Sequence, residues 1–239
     1  MKLSTELKKL KSTGLILAIL TGGMAAALLP VLNTWFRTEL FTSLPDSPLV
    51  VLLDANSQMM IMLNLILMIC GSCILYHTEY SEHALRKMLS LPITPESLYL
   101  QKAVILILGR LFLLILESSA LVFCTAHWFT ITEDFWILLL KNALYSAFLS
   151  LPSILLMLLI ASACQNMWVS LGTGVIFLSL ASSLTEGPFL LRLCPFITPF
   201  QTLVQTEGEA LSYIGGAAAE ILILGITAVI FTRRRRYTI

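Results

Sequence analysis

His77 to Lys102 reads HTEYSEHALRKMLSLPITPESLYLQK. It is the one long insert between apolar runs that combines charge, prolines and a helical pattern. Ala84, Leu85, Met88 and Leu89 share a stripe at the spacing of one helix face. Glu79, Glu82, Arg86 and Lys87 fall mostly off it. Glu82 precedes Arg86 by four residues, the spacing that supports an exposed helix. Pro92 and Pro95 end the pattern, because proline lacks the N–H and disfavours the helical conformation in the residue before it. Thr94-Pro95-Glu96-Ser97 then reads as a new helix start, with Thr94 as cap and Pro95 at the first position. Two readings stand open: a helix that docks to another protein, and an ordinary interfacial loop helix.

What flanks the insert decides the fold class. Of 239 residues, 57% are hydrophobic and 12% charged, with a mean hydropathy of +0.88. Soluble domains carry about 25% charged residues, so this chain cannot cover a water-facing surface of its size. The expectation is an all-α integral membrane protein, one domain over residues 1–239, with six transmembrane helices. Their expected bounds are Gly14–Trp35, Val50–Tyr76, Leu98–Cys124, Trp136–Ala163, Trp168–Leu184 and Tyr213–Phe231. Each run fits the ~20 apolar residues that a span needs. For the first, a signal peptide is the rival, with its basic flank and Ala25-Ala26-Ala27. The apolar run continues to Phe36, which suits an uncleaved span better. Pro30 and Pro152 are expected kinks. Gly172 with Gly174, and Gly215 with Ala219, are expected close-packing positions.

Residues 1–13, MKLSTELKKLKST, set Leu3, Leu7 and Leu10 on a stripe among Lys2, Lys8, Lys9 and Lys11. This suits an amphipathic segment on an anionic leaflet; a disordered basic tail is the alternative. Residues 185–212 are too broken by Gly187, Pro188, Pro195 and Pro199 to span, and too apolar for a solvated loop. They are expected to form one or two re-entrant or interfacial helices under protein cover. With both termini cytoplasmic, the four N-terminal lysines, Arg86, Lys87, Lys102 and Arg233 to Arg236 lie inside. Only Arg37, Lys141 and Arg192 lie outside, as the positive-inside rule requires.

Arg110 and Glu117 fall inside the third span, seven apart and so near one helix face. Charges at that depth are costly and face a bundle interior or a cavity. They read either as a polar patch, on a substrate path or between two permease chains, or as an internal ion pair with other spans, with Arg110 snorkelling inward as a further option. Glu220 is a third intramembrane candidate, with packing as its plain alternative. The CGSC at Cys70 to Cys73 has a redox or metal spacing, but inside a span, without a further cluster of ligands, it reads as small-residue packing. No Gly-Lys pair occurs, so a P-loop is absent and the chain cannot hydrolyse ATP by that route. No catalytic set or resident metal site can be drawn from spacing, and nothing points to nucleic acid.

The basic N-terminus, the six runs, the polar insert and the broken 185–212 stretch together resemble the type-2 ATP-binding-cassette (ABC) exporter permeases. Within these, the chain resembles the lantibiotic-immunity permeases. The carrying residues are Glu79 through Leu91-Pro92-Ile93-Thr94 to Lys102, and the turn Gln165-Asn166-Met167-Trp168. The resemblance implies that residues 77–97 hold a coupling helix, with Glu79, Glu82, Leu85, Arg86, Lys87, Met88 and Leu89 at the junction with an ATPase. Residues 1–13 would be an elbow helix, and 185–212 the outer re-entrant helices. It implies two copies of a separate ATPase that binds ATP and Mg, and a second permease chain, with a heterodimer favoured. It also implies a location in the bacterial cytoplasmic membrane and a hydrophobic or cationic antimicrobial peptide as substrate. Glu133, Asp134, Glu186 and Arg192 are then outer substrate-facing candidates, with solvated loops as the alternative. The rivals are a secondary transporter using Arg110, Glu117 and Glu220, and a membrane-anchor subunit without transport activity.

Overall fold

The computed structural model describes residues 13–80, 95–206 and 208–236, and among them every regular element is helical. In chain order these are α1 (Leu15–Phe36), α2 (Thr38–Thr42), α3 (Pro48–Tyr80), α4 (Pro95–Trp128), α5 (Phe135–Leu149), α6 (Leu151–Ala163), α7 (Met167–Ser183), α8 (Phe189–Arg192), a 3-10 turn (Thr198–Phe200) and α9 (Ala210–Arg236). Five stretches are long and apolar enough to cross a membrane: α1, α3, α4, α5 continued by α6, and α9. They match the expected spans one, two, three, four and six. The expected fifth is α7, with 17 residues. At 1.5 Å per residue it is about 25 Å long, somewhat short of a ~30 Å hydrocarbon core. The expected elbow segment and most of the expected coupling helix lie outside the described residues.

The long helices run up and down. Tyr80, Pro95, Ala163 and the last turn of α9 gather at one end, here the insert end. The 185–206 stretch and the starts of α3, α5 and α9 form the other, the cap end. The central helix is α3, which packs against α1, α4, α6 and α7. Of its most apolar stretch 61% is buried, against 11% for α9. Small residues set the close approaches. A Cβ on Gly22 would sit 2.5 Å from Leu67, and one on Gly23 2.6 Å from Leu113. Gly71 faces Leu106, and Gly174 faces Ile69 and Met157. Within this chain Gly172 and Gly215 meet no neighbouring helix, since a Cβ at either would have nothing within 4 Å. Gly216, facing Leu193, and the fully buried Ala217 take the packing role on α9.

Two breaks follow the sequence closely. The run from Phe135 to Ala163 is interrupted at Ser150, just before Pro152, whose missing N–H cannot continue the helical ladder. The Asn166 side chain accepts from the Trp168 N–H at 2.9 Å and so caps α7. The α4 start at Pro95 agrees with the expected new N-terminus. However, α3 runs on to Tyr80, so His77 to Tyr80 belong to a bundle helix rather than to a separate insert.

The 185–206 stretch forms a cap built from one short helical turn and one 3-10 turn, less regular than the expected re-entrant helices. Phe196, Ile197 and Phe200 are buried among Ile61, Ile69, Met157 and Leu178. Their backbone polar groups are satisfied locally: the N–H groups of Ile197 and Thr198 both donate to the Cys194 carbonyl, at 2.8 and 2.9 Å. The Ser153 hydroxyl donates to the Pro195 carbonyl. Irregular backbone at such a depth is tolerated only under protein cover of this kind.

Candidate functional site

Polar chemistry concentrates at three levels of the bundle. At mid-bundle, Arg110 and Glu117 are each 4% exposed. Two turns apart on α4, they lie on one face, and Arg110 Nη1 donates to Glu117 Oε2 at 3.4 Å. Neighbouring helices complete the set. The Asn64 amide on α3 donates to Glu117 Oε1 at 2.6 Å. Arg110 Nη2 donates to the Ser146 hydroxyl on α5 at 2.9 Å. Arg110 therefore reaches along its own helix towards the cap end and does not snorkel towards the insert end. Removing two charges from water costs several kcal/mol per ion, which attraction and added hydrogen bonds must offset. The bonds to Asn64 and Ser146 serve that end. A cavity of about 40 Å³ adjoins the pair, walled also by Ser57, Asn142 and Gln201.

At the insert end, Lys102 is 1% exposed. Its ammonium donates to the Leu75 carbonyl at 2.7 Å and to Glu79 Oε1 at 3.2 Å, and lies 5.2 Å above the Tyr76 ring. Glu79 is 2% exposed. The sequence reading sets Glu79 on a polar face and Lys102 in a cytoplasmic loop; both are instead buried between α3 and α4, because each helix extends past its apolar run. Two tyrosines tie the same stems to α6: Tyr80 donates to the Ser162 carbonyl, and Tyr99 to the Leu155 carbonyl at 2.8 Å. Arg233 on α9 donates to Glu96 on α4 at 2.6 Å. The candidates Glu82, Leu85, Arg86, Lys87, Met88 and Leu89 lie outside the described residues.

At the cap end, a vestibule of about 340 Å³ is lined by Asp54, Gln58, Glu186, Arg192, Gln201 and Gln205, among others. Arg192 donates to the Gly187 carbonyl at 2.7 Å and to the Tyr213 hydroxyl at 3.3 Å. Gln205 donates to Asp54 at 3.2 Å. The structure thus brings two of the four outer candidates, Glu186 and Arg192, to one cavity. Glu133 and Asp134 are exposed elsewhere at that end, just before α5. Glu220 lines neither cavity, and its Oε2 is buried without a protein partner. The CGSC segment packs: Gly71 meets Leu106, and Cys73 Sγ lies 3.2 Å from the Ser170 hydroxyl of α7.

Reading the sequence picks out Arg110 and Glu117 but misses Asn142, Ser146 and Gln201 as their neighbours. Single small polar residues are common in membrane helices, and nothing in the sequence fixes how α5 is rotated against α4. Lys102 with Glu79 had a usable signal: both charges lie within a turn or two of an apolar run.

The comparisons with known proteins accord with an apolar bundle that carries a polar insert. Residues 2–181 match the family described as ABC-2 family transporter protein. Searches of curated proteins and of solved structures find no match. The match spans most of the chain, including α1 to α6 and most of α7. This multi-pass membrane protein belongs to the ABC-2 transporter family, as a membrane component rather than the catalytic ATPase.

Proposed function

We propose that the chain is the permease subunit of an ABC exporter that expels a hydrophobic or cationic antimicrobial peptide from the membrane, giving immunity or resistance. Family membership supports the permease role, and one structural observation carries the coupling: the stems of the polar insert are locked to each other by buried Glu79 and Lys102. Tyr80 and Tyr99 lock the same stems to α6. A force applied to residues 81–94 is then borne by three packed helices at once. In this reading the chain crosses six times, with α7 as the fifth, so both termini and the insert share one side; the Lys and Arg bias makes that side the bacterial cytoplasm and leaves the vestibule outside.

In this reading two copies of a separate ATPase hold ATP and Mg and grip the insert through Leu85, Arg86, Lys87, Met88 and Leu89, with Glu82 on the exposed face. ATP binding closes the ATPase pair, and the push travels along α3 and α4. A second, similar permease chain completes the path, and Glu186 at the vestibule meets a cationic peptide arriving from the outer leaflet.

Purification in mild detergent tests the proposal. A stoichiometric soluble ATPase should accompany the wild-type chain and be lost on Leu85→Asp, while membrane insertion persists. A chain that purifies without any ATPase in several detergents would overturn the reading.

A further inference from the structure

The mid-bundle cavity and the vestibule share a wall: Ser57 and Gln201 line both. Only the smaller cavity touches the buried ion pair. We propose that this chamber is a bound-water site, filled from the vestibule through the neck between Ser57 and Gln201, and that its water is a standing partner of Arg110 and Glu117.

Size, polarity and charge all point the same way. A buried water needs at least about 10–15 Å³ of accessible volume and two to four polar neighbours. The chamber offers about 40 Å³, room for a small cluster. Its wall is largely apolar but also carries a guanidinium, a carboxylate, two amides and several hydroxyls. Cavities lined only by apolar groups stay dry, whereas polar ones of this size hold water. One wall group asks for a donor directly: Asn142 Oδ1 is buried and accepts no hydrogen bond from the protein. Arg110 has N–H groups to spare, since a guanidinium offers five and two are engaged, with Glu117 and Ser146. The occupant must be neutral. Arg110 and Glu117 already cancel, and a third charge at that depth would stand uncompensated at large cost. Water meets every requirement and arrives from the adjoining vestibule.

Towards the insert end the hydrated region stops. Leu106 and Ile154 are fully buried there, and beyond them Glu79 and Lys102 close the base. The chamber is thus the blind end of a polar inlet from the cap side.

Hydroxyl-radical footprinting of the full chain in lipid nanodiscs tests this without any mutation. Met60 lines the chamber, whereas Met68 and Met157 are packed in dry core clusters. Water in the chamber should make Met60 oxidise several-fold faster than Met68 and Met157. Equal, slow oxidation of all three would overturn the bound water. The neck is tested with Ser57→Cys in a chain whose exposed Cys194 and half-buried Cys70 and Cys164 are replaced by Ser. Water-soluble methanethiosulfonate should label it from the cap side only. Labelling solely from the insert side, or none in a chain that runs as a monodisperse peak, would overturn the inlet.

Discussion

The Lys102 ammonium stands 3.2 Å from Glu79 Oε1 while donating at 2.7 Å to the Leu75 carbonyl, so one side chain of α4 grips α3 twice. Both partners are almost wholly buried, and breaking such a pair from one side removes a counter-charge from the buried group that remains. Lys102→Met should therefore destabilise the protein by about 3–5 kcal/mol. The double variant Lys102→Met with Glu79→Gln should recover a large part of that loss. Thermal unfolding in a fixed detergent checks the order. A double variant less stable than Lys102→Met would show that the pair acts through something other than charge compensation.

The same logic applies at mid-bundle with a graded outcome. Glu117→Gln leaves Arg110 buried without its counter-charge, at a cost of about 3–5 kcal/mol. Ser146→Ala removes one hydrogen bond to a charged group, worth about 1.5–3 kcal/mol. Unfolding measured side by side should rank Glu117→Gln well below Ser146→Ala in stability. Equal values would mean that Arg110 finds a substitute partner once Glu117 is neutral.

How much of this could be read from the chain depends on what polarity marks. A charge inside an apolar run is conspicuous, so Arg110 and Glu117 were legible, and their seven-residue spacing set them on one face. The helix limits were less so. Polar residues after Tyr76 mark where α3 leaves the apolar layer, not where it stops, so Glu79 was expected on an exposed face when the helix carries it against Lys102. The cap was legible as broken and apolar, but its fold into the Ile61, Met157 and Leu178 cluster is a tertiary outcome that prolines alone do not dictate. Glycines show the same limit: the pair Gly172 and Gly174 looks like one close-packing motif, yet 100° of rotation per residue leaves only Gly174 against α3 and α6.

That difference gives a paired test. Gly174→Ala puts a Cβ 2.7 Å from Ile69, and overpacking of this kind costs about 1–3 kcal/mol. Gly172→Ala meets nothing within 4 Å and should stabilise α7 by up to about 1 kcal/mol through helix propensity. Melting temperatures of the two variants should shift in opposite directions. A shift of the same sign in both would mean that α7 sits at another rotation.

The tyrosine ties bear on coupling, on the reading that residues 81–94 dock to an ATPase. Tyr80→Phe and Tyr99→Phe each remove one hydroxyl that donates to an α6 carbonyl, at a cost of about 0.5–1.5 kcal/mol apiece. Both residues lie outside 81–94, so the ATPase should still copurify at wild-type stoichiometry. With the stems freer to move against α6, part of each stroke is absorbed locally. ATP hydrolysed per peptide exported should rise in each variant and rise further in the pair. Reconstituted transport with parallel phosphate release measures that ratio. An unchanged ratio with both hydroxyls gone would mean that the stroke passes through α3 and α4 without the help of α6.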